Sequence, residues 1–178
     1  MLPAPFSAAP QLALDAPKAI GRVELLVNRP REGVHQRVEQ LDLDQECGIL
    51  GDRWQRTAWI HTDDGSPDPR VQVSMTVSQV MACFSGEDIT RCGDNLYVDF
   101  NLTEAHLPAG SILKIGSARL RVSDLENDAC GKFADRFGKE ALRFVREPAN
   151  RPLRLRGIFL QIVRSGRIRT GDAIHKLS

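Results

Sequence analysis

Residues 112–123 read ILKIGSARLRVS, two short runs in which apolar and polar side chains alternate around Gly116-Ser117. Alternation with a period of two marks a strand with one buried face, and glycine at the first central position of a two-residue loop suits a type II′ hairpin turn. A sequence that reverses so tightly commits its neighbours to sheet. The device recurs near the end of the chain, where an apolar strand over 158–163 is followed by a turn at Ser165-Gly166 and a short strand from Arg167. Upstream, 22–27 (RVELLV) reads as a mostly apolar strand and 37–43 (RVEQLDL) as a more polar one. Val71, Val73 and Met75 alternate with Gln72 and Ser74, and Leu96, Val98 and Phe100 repeat the spacing, so both segments are expected to be half-buried strands.

Helical spacing is confined to two segments. Residues 76–84 (TVSQVMACF) set Val80, Met81 and Phe84 on one side with Ser78 as cap. Residues 132–145 do the same with Phe133, Phe137, Ala141 and Phe144 or Val145, across a helix-weakening Gly138. The expected fold is therefore mainly β, a closed or nearly closed β-barrel with a few short helices. With 178 residues, 42% of them hydrophobic, one core is affordable and a single domain over 20–178 suffices. Residues 1–19 contain Pro3, Pro5, Pro10 and Pro17 and no basic n-region, so they read as a loose leader and not as a signal peptide. Residues 61–70 (HTDDGSPDPR) have the composition of a solvated loop.

Charge and cysteine usage exclude several classes. A balance of 24 Lys and Arg against 23 Asp and Glu, net +1, argues against nucleic acid as the partner, and no apolar run has the length of a membrane span. Cys47, Cys83, Cys92 and Cys130 form no Cys-x-x-Cys pair, which argues against a zinc site, and without secretory features they read as reduced cytoplasmic thiols. His35, His61, His106 and His175 do not cluster and read as surface residues, while Trp54 and Trp59 read as core or pocket wall.

Cys130 stands apart. In NDACGKF (127–133) it follows Asn127-Asp128-Ala129 and precedes a glycine and a helix start, with Lys132 two residues on. Such a thiol is reachable, and helix N–H groups and Lys132 favour its anion. The alternative is a small hydrophobe packed in a turn.

The order of motifs around that cysteine resembles the MOSC domain family. GILGDRW (48–54) is similar to the family's Gly-x-x-Gly-Asp-Arg segment, and GDNLYVDFNLTEAHLPAGSILKIGSARLRVS (93–123) to its middle strand and the glycine hairpin after it. Cys130 then falls at the family's single cysteine, and RGIFLQIVRSGRIRTGDAI (156–174) is similar to the closing strand, turn and Gly-Asp. Two positions depart from the pattern, Asp94 where many relatives have Glu and Trp54 where His or Ala is common.

The resemblance implies a barrel that binds a molybdenum cofactor (molybdopterin) or delivers sulfur to it, with Cys130 both the catalytic group and the metal ligand, bound to molybdenum or carrying a persulfide. Asn95 would offer amide hydrogen bonds to the pterin or to an oxo group, against the bland reading of an Asx turn opening a strand. Asp52 and Arg53 would clamp a phosphate, against a surface ion pair; Arg156 would be a further phosphate contact, against a solvated strand end. No pyridoxal-phosphate desulfurase domain and no extra N-terminal β domain are expected in this chain. A separate cysteine desulfurase would then load Cys130, or a flavin or iron–sulfur electron-donor protein would supply electrons. Two functions are implied: an enzyme that reduces small N-hydroxylated substrates or transfers sulfur, and a non-catalytic carrier of cofactor or sulfur.

Overall fold

The computed structural model describes residues 5–177. Its strands are β1 (Gly21–Asn28), β2 (Gln36–Val38), β3 (Gln40–Asp44), β4 (Gly48–Ile49), β5 (Val73–Val77), β6 (Leu96–Asp99), β7 (Ile112–Ile115), β8 (Ala118–Val122), β9 (Ile158–Arg164), β10 (Gly166–Arg169) and β11 (Ala173–Lys176). Between them lie the helices α1 (Ala9–Asp15), α2 (Trp54–Thr57), α3 (Ser78–Ser85), α4 (Gly131–Phe137) and α5 (Lys139–Arg146).

Strands pair in the order β11-β7-β8-β9-β5-β6-β1, and β1 returns to β11 through Gly21↔Ile174 and Arg22↔Ala173, so the sheet closes into a seven-stranded barrel. β2 joins the far end of β1, while β10-β3-β4 form a separate small sheet. All barrel pairs are antiparallel except β5–β6, whose parallel register requires the crossover that α3 supplies. Paired residues share a face, and Leu26, Leu96, Met75 and Ile158 follow one another across four strands into the barrel interior, all buried. The hairpin at Gly116 forms as its sequence requires, with φ of 56° at Gly116 and Ser117 outside the positive-φ region.

Several expectations need correction. The segment 37–43 is two strands, β2 and β3, which break at Glu39 to serve different sheets. β10 does not fold back on β9 but crosses to β3, pairing Gly166 with Leu43. Val71 ends a short 3₁₀ turn, and β5 is buried on both faces because helices and loops cover Ser74 and Thr76 on the outside of the barrel. Ser78 is the first residue of α3 and not its cap; its hydroxyl makes no capping bond. Gly138, at φ 94°, splits the long helix into α4 and α5. Residues 5–19 are not loose: α1 packs against α3 and buries Ala9 and Ala13, whereas the first four positions of that leader lie outside the described residues. Trp54 is buried but Trp59 is 66% exposed.

The helices meet through aromatic rings. Phe6 stacks on Phe84 at 5.5 Å and touches Phe144 at 4.9 Å, and Phe133 bridges Phe84 and Phe137 at 5.6 and 4.9 Å. This cluster fixes α4, and with it Cys130, against the outside of the barrel. None of the described helices is long and apolar enough to cross a membrane.

Candidate functional site

Three segments converge on one edge of the barrel: the loop entering β6, the loop from β8 to α4, and the residues before β9. Asn127 Nδ2 donates to the Arg156 carbonyl at 3.3 Å, Arg156 Nη2 donates to the Cys92 carbonyl at 3.1 Å, and Arg136 Nη1 donates to the carbonyls of Arg91 and Cys92 at 3.0 and 3.3 Å. These bonds tie the segments together without using a side chain of Cys130.

Cys130 is exposed and occupies the position just before α4, where its carbonyl accepts from Phe133 N at 2.9 Å while its thiol makes no capping bond. The preceding Ala129 is buried and held at φ 67°, a left-handed conformation that costs an L-residue about 1–2 kcal/mol. Arg146 secures it by donating to the carbonyls of Asp128 and Ala129, both at 3.0 Å. The strain and its clamp aim the thiol outward. Cys92 has the opposite setting: burial, and then the nearby Asp94, push its thiol up to about 12.

Asp52 and Asn95 form the scaffold beneath the loop that enters β6. Asp52 accepts from Arg29 Nε at 2.9 Å and Nη2 at 3.2 Å, from Trp54 N at 2.9 Å and from Asn95 Nδ2 at 3.1 Å. Asn95 also donates to the Val27 carbonyl at 3.2 Å and accepts from Ser74 N at 3.1 Å. Both N–H groups of Asn95 are thus used within the protein, and Asp52 pairs with Arg29 and not with its neighbour Arg53. Arg156 is not a solvated strand end: it is buried to 13% exposure, bonds Asp94 Oδ2 at 2.6 Å, and lies over the Phe133 ring at 5.8 Å.

Above this scaffold the side chains are basic. Arg29 Nη1 donates to the Gly93 carbonyl at 3.1 Å, and a Cβ placed on Gly93 would lie 3.2 Å from both Arg136 Nη1 and His35 Nε2, so the bare glycine is what lets those two groups meet. Burial, followed by Arg136, Arg29 and Arg53, holds the His35 imidazole below its ordinary range. Lys132 pairs with Glu32, and Arg53, bonded to Thr57 Oγ1 at 3.2 Å, faces the same carboxylate. Arg29, His35, Arg136 and Glu32 were not singled out by sequence reading. The only prior sign of Arg29 is that a buried Asp52 requires a cation.

A family model for the MOSC domain matches residues 70–175. Among solved structures, the YuaD protein from Bacillus subtilis superposes with a TM-score of 0.61 at 22% identity, covering 87% of this chain and 94% of that one. YiiM from Escherichia coli gives 0.59 at 17% identity (88% and 70% covered), and YiiM from Geobacillus stearothermophilus 0.63 at 12% (89% and 75%). Identities this low speak for a shared barrel. No curated protein sequence matches the chain.

Proposed function

The chain belongs to the MOSC domain family, and from that premise we propose that it binds a molybdenum cofactor at this barrel edge, with Cys130 as the protein's own ligand to the metal, and reduces small N-hydroxylated substrates. The observation that carries the reading is the position of Cys130: an exposed thiol, held outward by a strained alanine, beside a basic cluster.

The donor set suits such a group. Among the described residues no three His, Cys, Asp or Glu side chains gather to hold a metal ion, whereas a metal carried by a pterin needs only one soft protein ligand. The cofactor is anionic, and Arg53, Arg136 and Lys132 supply positive charge where Asp52 has already neutralised Arg29. When bound it would supply two-electron redox chemistry. The chain's residues do the rest: Cys130 offers its sulfur, Arg53 holds an anionic end, and Asn95, Asp52 and Arg156 keep the Gly93 loop in place from below. Electrons would come from a flavin or iron–sulfur partner.

Exposure of the thiol supports a second reading, in which a separate cysteine desulfurase loads Cys130 with a persulfide that is passed on. Protein made in a host able to build the cofactor separates the two. Molybdenum and pterin bound in equal amounts support the first; persulfide at Cys130 without molybdenum supports the second; neither on a folded protein contradicts both.

A further inference from the structure

Arg53 and Arg136 are half-buried and make no ion pair within 4 Å among the described residues. Arg53 spends one nitrogen on Thr57 Oγ1, and Arg136 spends one on two carbonyls, which leaves guanidinium donors on both. They converge with Lys132 on a single carboxylate, Glu32, which all three hold below the usual carboxylate range, Lys132 foremost. Arg56 adds charge from the other side, donating to the Pro30 carbonyl at 2.7 Å. Three cations that share one anion are under-neutralised, and the anion itself is loosely held. Glu32 is largely exposed, as is Lys132, and a surface pair of this kind is weak. Glu32 also precedes Gly33, whose positive φ of 74° makes a tight turn with open space around it.

On the cofactor-binding reading above, we infer that Arg53, Lys132 and Arg136 form an oxyanion subsite for a phosphomonoester, and that Glu32 is its internal occupant, displaced when the ligand enters. A phosphomonoester brings close to two negative charges and three acceptor oxygens, where Glu32 brings one charge and two oxygens. It therefore answers more of the available donors, and guanidinium forks suit its geometry. In the ligand-free protein the carboxylate keeps three like charges from repelling one another. Its removal relieves competition for the ligand but leaves the cations in place.

The test is calorimetric titration of cofactor-free protein with inorganic phosphate. Glu32→Gln should tighten phosphate binding about fivefold, the effect of removing one like charge close by in water, and Lys132→Gln should weaken it by a similar factor. Lys132 is exposed and caps nothing, so its loss leaves the fold intact, which Arg136 variants do not guarantee. Repeating the titration on cofactor-loaded protein identifies the source of the phosphate: loss of binding assigns the subsite to the cofactor's own phosphate, and retained binding to a substrate phosphate. Absence of binding to wild type, or a Glu32→Gln protein that binds no better than wild type, overturns the inference. The titration involves no molybdenum, so this failure is distinct from a failure of the proposed function.

Discussion

Four thiols share this chain, and their surroundings sort them. Burial and Asp94 push the Cys92 thiol up to about 12, burial raises that of Cys83, and burial followed by Asp44 raises that of Cys47, whereas Cys130 is exposed beside Lys132. Limiting iodoacetamide near neutral pH should therefore label Cys130 first, and peptide mapping that finds Cys83 or Cys92 alkylated equally fast would count against a reagent role. The buried pair Arg29–Asp52 invites a different test. Asp52→Ala strands a mostly buried guanidinium and should cost about 3–5 kcal/mol in urea unfolding, while a loss under about 1 kcal/mol would mean the scaffold does not depend on it. That pair was half legible. Asp52 was conspicuous in its Gly-Asp-Arg run, but its partner is 23 residues away among several arginines, and the adjacent Arg53 was the natural guess. Sequence spacing does not reveal which of two guanidiniums turns inward. Arg156 was misread for a related reason: its carboxylate, Asp94, is 62 residues upstream and comes alongside only when β9 packs.

Strand existence could be read from alternation because side-chain period is a local property, and the hairpin at Gly116 followed from its turn residues. Pairing could not. No glycine or proline marks the break at Glu39 that sends β2 to β1 and β3 to β10, and β10 leaves β9 for β3 although Ser165-Gly166 has the look of a hairpin turn. These choices are made by the small sheet that β3, β4 and β10 form over the barrel, which no window of sequence contains. The helix break at Gly138 is a local feature with a testable strength. Its φ of 94° and ψ of 158° belong to a region reserved for glycine, so Gly138→Ala should destabilise by about 1–3 kcal/mol despite alanine's better helix propensity. A stabilised Gly138→Ala protein would show instead that α4 and α5 gain by fusing, and that the position of Cys130 does not depend on the break.

The molecule as a whole carries a net charge of +1, yet its cations are not evenly spread: Arg29, Arg53, Arg136 and Lys132 gather at one edge of a closed barrel, around His35 and Glu32. One consequence is a pH dependence of stability. His35 is held below its ordinary 6.5 by burial and then by Arg136, Arg29 and Arg53, and His106 by burial and then Lys176 and Lys18. Between the folded-state values and 6.5 the unfolded chain binds more protons, so stability is complete above pH 6.5 and is lost as the pH falls through that value. Melting temperature should drop between about pH 7 and about pH 5, less steeply in His35→Gln, and a flat or rising profile would contradict the buried placement of these rings. The barrel's role as a holder for a reactive cysteine rests finally on Cys130→Ser, which replaces a soft sulfur by a hard hydroxyl of similar size at an exposed position. Wild type and variant, both made in a host that builds the cofactor, should be compared for melting temperature and bound molybdenum. The expected result is an unchanged melting temperature with the molybdenum lost; a variant that melts several degrees lower yet keeps its full metal content would show that Cys130 serves packing and that the metal, if bound, is held by something else.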